Sequence, residues 1–355
     1  MDLGIFQATG RAWVGGIYQS NVIPGLPPYA VVLFAPLSLL SYTHLKLVWL
    51  LLNLAAASLC VFLAIKLVGQ KWPAEARYFL AAFLLLWAPF RVTIRDGQIS
   101  LMITALLLGA LLARKRERKW LAGALLGFAL CKYPLSFAFL LYFIWLKEWT
   151  SVSLALLVPA SLTQVFAYRL GISAVTVTGD YVHLMGRTFA DNHPAFIGVT
   201  EIKPLLYSLM GGSEIAASIM TLTLSAAALI SMLIAVARRP KLEGIHYAVL
   251  TFFTLWSLYH RVYDSVLCIL PAAVLIGNIV QRRYTLFSLI GLTSLALLVV
   301  SIPGLLTVRL ALGAETLSKS PIGFLGLHLE RLLMFGMFCS FLLLLWNTPR
   351  REEES

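Results

Sequence analysis

The chain has 355 residues, of which 60% are hydrophobic and only 12% are charged, and its formal net charge at pH 7 is +12. Soluble domains carry about 25% charged residues, so this composition excludes a soluble globular protein. The apolar residues come in blocks of about 12 to 24, which is typical of many membrane-spanning helices. The excess positive charge then indicates how the chain is oriented in a membrane. No nucleic-acid partner is expected.

The N-terminal region, residues 1–44, is predicted to be an outer loop that carries interfacial helices. Asp2–Gly16 is amphipathic, whereas Pro28–Ser41 is apolar but shorter than the roughly 20 residues that an ordinary span needs. We predict that both segments lie in the outer interface, with a re-entrant path as the alternative for the second. Because a basic tail and a spanning helix usually come before such a loop, we expect that a first helix is missing here.

The rest of the chain is predicted to cross the membrane about eleven times, and the missing helix would make about twelve. Lys and Arg concentrate in cytoplasmic loops, so we place inside the basic clusters Lys66 with Lys71, Arg114–Lys119, Arg238–Arg239 with Lys241, Arg282–Arg283 and Arg350–Arg351. The predicted spans are Leu45–Val68, Tyr78–Ile94, Ile99–Ala113, Trp120–Cys131, Tyr133–Leu146, Ser151–Tyr168, Glu214–Ala237, Ile245–Tyr259, Ser265–Val280, Tyr284–Ile302 and Leu327–Trp346.

This arrangement predicts an all-α polytopic protein with a single integral membrane domain over residues 1–355. After the outer loop at 1–44, its parts are helices at 45–168, an outer loop at 169–213, helices at 214–302, an outer loop at 303–326, a last helix at 327–346 and a cytoplasmic tail at 347–355.

The apolar stretch Trp120–Leu146 has two interpretations. It is either one long helix with Lys132 at its middle, or two short helices that meet at Lys132-Tyr133-Pro134. The second interpretation is preferred because it keeps Arg238–Arg239 on the cytoplasmic side. A turn sunk at membrane depth is tolerated only where it lines a wet cavity, so this interpretation makes Lys132 a functional candidate.

Several polar groups fall at the outer ends of the predicted helices: Asp2, Arg91, Arg95, Asp96, Gln98, Lys132, His260, Arg261 and Asp264. Ionisable groups at membrane depth are costly and mark sites or pathways. Positive charges on the side that usually lacks them indicate an anionic ligand, and a phosphate head group fits. Each group also has a structural interpretation, such as an Arg95–Asp96 ion pair, a Gln98 helix cap or a snorkelling Lys132.

A metal site is a weaker prediction. The outer loop contains Asp191-Asn192-His193, but no further ligand has fitting spacing. We therefore interpret the charged residues there as a solvated loop: Asp180, His183, Arg187, Asp191, His193, Glu201 and Lys203. The four cysteines occur singly and are interpreted as packing residues.

Five stretches together carry a family resemblance. They are Asp2–Ala8 leading to Gly16-Ile17-Tyr18; Pro27-Pro28-Tyr29 with Ala35–Leu40 and Trp49; Gly97-Gln98; Ala122–Gly127 leading to Lys132-Tyr133-Pro134; and His260–Asp264. In order and approximate spacing they resemble glycosyltransferase family 87, multi-spanning enzymes of the GT-C type that use polyprenyl-phosphate-mannose. The resemblance covers about residues 2 to 280.

The resemblance implies inverting sugar transfer from a lipid phosphate, in which Asp2 is the general base that takes the acceptor proton. It implies that Lys132, Arg95, His260 and Arg261 hold the donor phosphate, that Gln98 binds substrate, and that Asp264 orients His260 or touches the sugar. Basic side chains can neutralise the phosphate, so neither a metal nor another cofactor is expected.

The implied partners are a polyprenyl-phosphate-sugar donor, a lipid or glycan acceptor and the surrounding membrane lipids. The implied location is a prokaryotic plasma membrane with the site facing outward. Two other functions share a basic outer cavity: a transporter or flippase of lipid-linked glycans, and a ligase or polymerase that uses them. The first typically shows paired repeats with broken helices, which are not found here.

Overall fold

A computed structural model describes residues 2–17, 27–69, 71–191, 201–283, 286–296 and 321–347, without the side chains of residues 2, 186–191 and 321–327. The described part is built of helices and confirms the predicted all-α class. The α-helices are α1 (Asp2–Val14), α2 (Pro28–Ser38), α3 (Tyr42–Val68), α4 (Ala74–Leu86), α5 (Ala88–Asp96), α6 (Ser100–Lys115), α7 (Lys119–Ala129), α8 (Tyr133–Trp145), α9 (Trp149–Leu170), α10 (Ala174–Asp191), α11 (Lys203–Leu209), α12 (Glu214–Arg238), α13 (Glu243–Ser257), α14 (Ile269–Val280), α15 (Leu286–Ala296) and α16 (Pro321–Asn347).

Within the described ranges, six helical segments are long and apolar enough to cross a membrane. A seventh forms if α4 and α5, which meet at an angle of 51°, count as one bent span. The chain is therefore a multi-pass membrane protein. The predicted total of about eleven spans stays a prediction, because α6 and α13 have only 16 and 15 residues. The predicted outer loop at 303–326 lies mostly outside the described residues.

The chain divides into two compact units. Unit 1 contains residues 1–63 and 92–193, and unit 2 contains residues 64–91 and 194–355.

Unit 1 is organised around α7, which packs between α6 and α9. A Cβ atom added to Gly123 would lie 2.5 Å from the carbonyl oxygen of Ser151, and one added to Gly127 would lie 2.7 Å from Cβ of Val158. Both glycines thus let α9 approach more closely than a side chain would allow. At the start of both helices the Ser151 hydroxyl donates to the carbonyl of Lys119 over 3.0 Å, so α7 and α9 run in the same direction.

The chain reverses between α7 and α8. Lys119–Trp145 qualifies as one span by length and composition, and a straight helix from Lys119 to Tyr142 would be about 35 Å long. Instead, the Arg114 guanidinium at the end of α6 lies over the Tyr142 ring, 5.8 Å from its centroid. The ends of α6 and α8 and the start of α7 therefore lie together, so α8 returns to the end from which α7 began. This agrees with the predicted pair of short helices.

The N-terminal helices α1 and α2 pack against each other and against α9. Arg11 donates from Nε to the carbonyl of Ser38 over 2.8 Å, and Trp13 stacks on Phe166 with ring centroids 5.9 Å apart. Phe166 is near the C-terminal end of α9, as is Arg169, which donates to the Val14 carbonyl. Hence the C-terminal end of α1 lies at the end of unit 1 away from the basic cluster Arg114–Lys119.

In unit 2, α13 packs against α12, α14 and α16. The Arg238 guanidinium at the end of α12 lies 4.2 Å from the ring centroid of Trp346 at the end of α16, which brings these two ends together. At the other end of α13, Trp256 is fully buried against the rings of Phe335 and Phe338. The segment after α13, with His260, therefore lies at the end away from Arg238.

Candidate functional site

Lys132 ends a short 3₁₀ turn, Leu130–Lys132, between α7 and α8. Its backbone leaves the helical region, with φ −124° and ψ 73°, and α8 then starts at Tyr133, with Pro134 in its first turn. The Tyr29 hydroxyl donates to the carbonyl of Leu130 over 2.6 Å, and the Ser136 hydroxyl donates to that of Ala129, also over 2.6 Å. These two bonds satisfy carbonyls that the broken helix leaves open, so the turn is held firmly.

The Lys132 side chain is half-buried, and its ammonium donates to the hydroxyl of Ser100 over 2.8 Å. The 11 residues of α7 extend only about 16 Å, roughly half of a hydrocarbon core. The ammonium is held by this hydrogen bond, whereas a snorkelling lysine extends its ammonium into water. A cation in such a place can bind an anionic group strongly because water screens it poorly.

A second turn, at Gly97, brings Gln98 and Ser100 to the same place. Gly97 has φ +70°, a conformation that glycine adopts without strain, and the Gln98 N–H donates to the Thr93 carbonyl over 2.9 Å. Gln98 is buried and lies two residues before the start of α6 at Ser100. The structure thus brings Gln98 and Lys132 together at one end of unit 1.

The same turn places the start of α1. A Cβ atom added to Gly97 would lie 2.8 Å from Cβ of Leu3, which is buried there. Asp2 is the first residue of α1 and precedes Leu3, so its backbone lies beside the Gly97 turn. The Asp2 side chain is outside the described set, and its role as a base stays a prediction.

Arg95 differs from the other candidates in unit 1. Its side chain is 66% exposed, and its Nε donates to Oδ1 of Asp96 over 2.9 Å. The neighbouring carboxylate neutralises it, which is the arrangement that the structural interpretation predicts. Exposed pairs of this kind contribute about 0–1 kcal/mol to stability. Nothing in this geometry favours phosphate binding by Arg95.

In unit 2 the three predicted residues lie in one short turn after α13. His260 is fully buried, and its Nδ1 lies 3.3 Å from Oδ2 of Asp264, which is also buried. The same carboxylate oxygen accepts from the backbone N–H of Arg261 over 3.3 Å, and the Arg261 Nε donates to the Tyr259 hydroxyl over 3.1 Å. Asp264 therefore orients His260, while the Arg261 side chain is exposed.

Sequence reasoning missed a second polar group in unit 2. His328 and Arg331 are buried in α16, and Arg331 acts electrostatically on Glu201, which is half-buried just before α11. Burial raises the pKa of Glu201 to about 7, although Lys203 and Arg331 oppose this. The interpretation of Glu201 as a solvated loop residue is therefore wrong. The signal that could have found the group is the charged stretch His328-Leu329-Glu330-Arg331 inside an apolar segment.

The candidate metal ligands of the outer loop lie partly outside the described residues, as His193 and the Asp191 side chain do. In the parts that the structure describes, no group of three His, Cys, Asp or Glu side chains has the geometry of a metal site.

A family model, glycosyltransferase family 87, matches residues 26–312, which is most of the chain. The chain belongs to glycosyltransferase family 87. The family resemblance seen in the sequence is thereby confirmed. The family match includes the Gly97, Lys132 and His260 turns but begins after Asp2.

Two known proteins are similar to this family 87 chain. A polyprenol-phosphate-mannose-dependent alpha-(1-2)-phosphatidylinositol pentamannoside mannosyltransferase from Mycobacterium tuberculosis (strain CDC 1551 / Oshkosh) is 36% identical over 107 residues, which is 29% of this chain. The aligned part spans only 24% of that curated relative. The apo crystal structure of ArnT from Cupriavidus metallidurans aligns with 97% of this chain and 70% of its own, at 14% identity and a TM-score of 0.43.

Proposed function

We propose that the chain is a membrane glycosyltransferase that moves a sugar, mannose, from a polyprenyl-phosphate carrier to a lipid or glycan acceptor. The observation that carries this proposal is the Lys132 ammonium, sunk in the α7–α8 turn beside Ser100. Family membership and the donor named for the mycobacterial relative support the choice of carrier. We further propose a prokaryotic plasma membrane with the site on its outer face.

The leaving group of the proposed reaction is a lipid phosphate. As the glycosidic bond breaks, negative charge grows on the bridging oxygen, and a fixed cation stabilises it without reorganisation. Lys132 suits this role because its turn is pinned at Leu130 and Ala129. Gln98, also buried at this turn, is proposed to donate from its amide to the same phosphate.

In unit 2, His260 and Arg261 are the proposed phosphate ligands. Asp264 holds the His260 ring through Nδ1, which leaves Nε2 as the nitrogen that can face a ligand. The exposed Arg261 is proposed to bind the outer part of the phosphate. Arg95 is the weakest candidate for phosphate binding, because Asp96 neutralises its charge.

The acceptor hydroxyl must lose a proton when it attacks the anomeric carbon. One base suffices, because phosphate leaves as a stable anion and needs no acid, in contrast to the two carboxylates of glycosidases. Asp2 is the proposed base, and attack from the face opposite the phosphate inverts the anomeric centre. The backbone position of Asp2, next to Leu3 on the Gly97 turn, supports this assignment.

Replacing the proposed base tests the assignment. Asp2→Asn, in nanodiscs with polyprenyl-phosphate-mannose and a lipid extract as acceptor, is expected to lose transfer by at least about 100-fold, as typical for a general base. The control Asp96→Asn changes a nearby carboxylate that pairs with Arg95. Near-full activity of Asp2→Asn would reject Asp2 as the base. Absence of transfer by the parent chain with every lipid-linked donor tried would favour the transporter or ligase functions.

A further inference from the structure

The α6–α7 turn and the α8–α9 turn of unit 1 lie side by side. The Arg114 guanidinium at the end of α6 lies 5.8 Å from the ring centroid of Tyr142, near the end of α8. The Ser151 hydroxyl at the start of α9 donates over 3.0 Å to the carbonyl of Lys119, the first residue of α7. The two turns therefore form one surface, which we call the basic surface (residues 114–120 and 145–149). Against two carboxylates it carries six basic residues: Arg114, Lys115, Arg116, Arg118, Lys119 and Lys147.

Three exposed tryptophans flank these basic residues in the chain. Trp120, which follows Lys119, is 71% exposed, and Trp145 and Trp149, two positions on either side of Lys147, are 42% and 59% exposed. Indole rings at the ends of membrane helices lie at the level of the lipid head groups, because one edge is apolar and the other is polar. The cations of the basic surface are therefore expected at the depth of the lipid phosphates.

Both turns share a backbone conformation that glycine usually adopts. Glu117 has φ +58° and Lys147 has φ +59°. In each turn the N–H of this residue donates to the carbonyl three positions earlier, and the next N–H donates to the carbonyl five positions before it. Glycine is common at this place in a helix C-terminal turn because a Cβ atom strains the left-handed conformation. Lys147 therefore lowers the stability of its turn, while it adds a positive charge to the basic surface.

Membrane orientation alone does not explain this arrangement. Orientation depends on how many basic residues a loop contains, whichever positions they occupy. It requires neither two adjoining turns nor a lysine at a position that strains the backbone. Strained residues cluster at ligand clamps and other functional sites. The side chains of Arg116, Arg118 and Lys147 are exposed, so a ligand can reach them.

We propose that the basic surface binds the head group of an anionic phospholipid. Phosphodiester oxygens accept charge-assisted hydrogen bonds from guanidinium and ammonium groups. Clusters of about four to eight basic residues directly beside membrane helices attract anionic lipids. The exposed indole rings favour a lipid over a soluble acidic molecule, because they can pack against the glycerol and the first acyl carbons. The proposal does not depend on the proposed glycosyl transfer.

Binding is measured by native mass spectrometry of the full chain in detergent, titrated with dioleoyl-phosphatidylglycerol. Dioleoyl-phosphatidylcholine is the zwitterionic control lipid, and glycerol phosphate is the soluble head-group control. The parent chain is expected to bind the anionic lipid at least about tenfold more tightly, and salt should weaken this preference. Equal affinity for the two lipids would overturn the proposal. Displacement of the anionic lipid by glycerol phosphate at equal concentration would show a site for free phosphates and overturn the lipid assignment.

The two strained positions provide a matched pair of variants. Lys147→Gly and Glu117→Gly relieve the same backbone strain and change the charge of the basic surface in opposite directions. Lys147→Gly is expected to weaken binding of phosphatidylglycerol by about fivefold, and Glu117→Gly to strengthen it by up to about as much. Neither melting temperature should fall. Binding that is unchanged in both variants, or that shifts in the same direction in both, would overturn the proposal.

A triple variant tests whether the place of the charges matters as well as their number. Arg116→Gln, Arg118→Gln and Lys147→Gln together are expected to weaken binding at least about 20-fold. The control removes three exposed charges in unit 2 that are also predicted to be cytoplasmic: Lys71→Gln, Lys241→Gln and Arg282→Gln. It is expected to change binding by less than about threefold. An equal loss in both triple variants would show attraction by the overall charge of the protein and overturn the proposed site.

Discussion

The Lys132 turn of unit 1 and the His260 turn of unit 2 place polar groups between apolar helices in different ways. At the first turn, an ammonium donates to a neutral hydroxyl, that of Ser100. At the second, the imidazole of His260 lies against a carboxylate, that of Asp264, within the same few residues. The partner is therefore a neutral group at the first turn and a carboxylate at the second.

The difference indicates different tasks. Ser100 holds the Lys132 ammonium through a neutral hydroxyl. Asp264 holds the His260 ring through a carboxylate, so the His260 turn orients that ring. We therefore expect Lys132 to contribute most of the electrostatic stabilisation, and the His260–Asp264 pair to contribute geometry.

Lys132→Ala is expected to have the largest effect among the substitutions that compare the two turns. Removing a preorganised charge of this kind costs about 100- to 1,000-fold in rate. Lys132→Arg keeps the charge but changes its shape and is expected to recover only part of the rate. Steady-state transfer by the parent chain and both variants measures this. Ser100→Ala, which removes the hydroxyl partner but keeps the ammonium, is the control, and an equal loss there would show that the turn itself had collapsed.

The His260 turn is expected to respond less strongly. His260→Ala should lower kcat/KM by about 10- to 100-fold, because the His260–Asp264 pair is expected to contribute mainly geometry. Asp264→Asn keeps an acceptor for the Arg261 N–H and removes the anion, so its loss should be smaller. The kcat/KM values of the parent chain, the two single variants and the double variant together form a double-mutant cycle. Additive losses would mean that Asp264 does not act through His260.

A pH profile of stability is expected to give a smaller change that belongs to Glu201. Its pKa of about 7, raised by burial, lies above the ordinary value of 4.5, so the carboxylate forms only as the pH rises through 7. Between about pH 4.5 and 7 the folded chain holds the Glu201 proton more tightly than the unfolded chain does, so this group's contribution to stability falls as the pH rises through that window. Thermal unfolding of the parent chain and Glu201→Gln across these pH values measures the difference. The difference in stability between the two proteins should be present above pH 7 and vanish below pH 4.5.

Arg95→Gln is expected to have the smallest effect, a change in kcat/KM of less than about threefold, because its exposed charge is already paired. The steady-state transfer assay, run at low and high salt, measures this change in kcat/KM. A loss comparable to that of Lys132→Ala would show that Arg95 leaves Asp96 to bind the donor, and the ranking of the two cations would then be wrong.

The sequence was sufficient for the helical membrane class, the family and the sunken turn at Lys132. The turn could be predicted because Pro134 and Lys132 both disfavour a continuous apolar helix. It was also sufficient to place Gln98 at a helix start, because Gly97 is next to it. Each of these features depends on residues that are adjacent in the sequence, so one sequence is enough to predict it.

The electrostatic effect of Arg331 on Glu201 could not be predicted, because the two residues are 130 positions apart in the numbering and come near each other only in the tertiary structure. Likewise, nothing local to Arg95 shows whether Asp96 turns toward it or toward a ligand. Burial and side-chain direction decide both cases, and both are properties of the tertiary structure.

The most direct test of the central claim is sugar transfer by the parent chain in nanodiscs with radiolabelled polyprenyl-phosphate-mannose and a lipid extract as acceptor. GDP-mannose with the same label is the control donor, because it lacks the lipid carrier. We predict that label moves to a new glycolipid from the polyprenyl donor and not from GDP-mannose, and that Lys132→Ala prevents this. Transfer from GDP-mannose alone, or equal transfer by Lys132→Ala, would contradict the account.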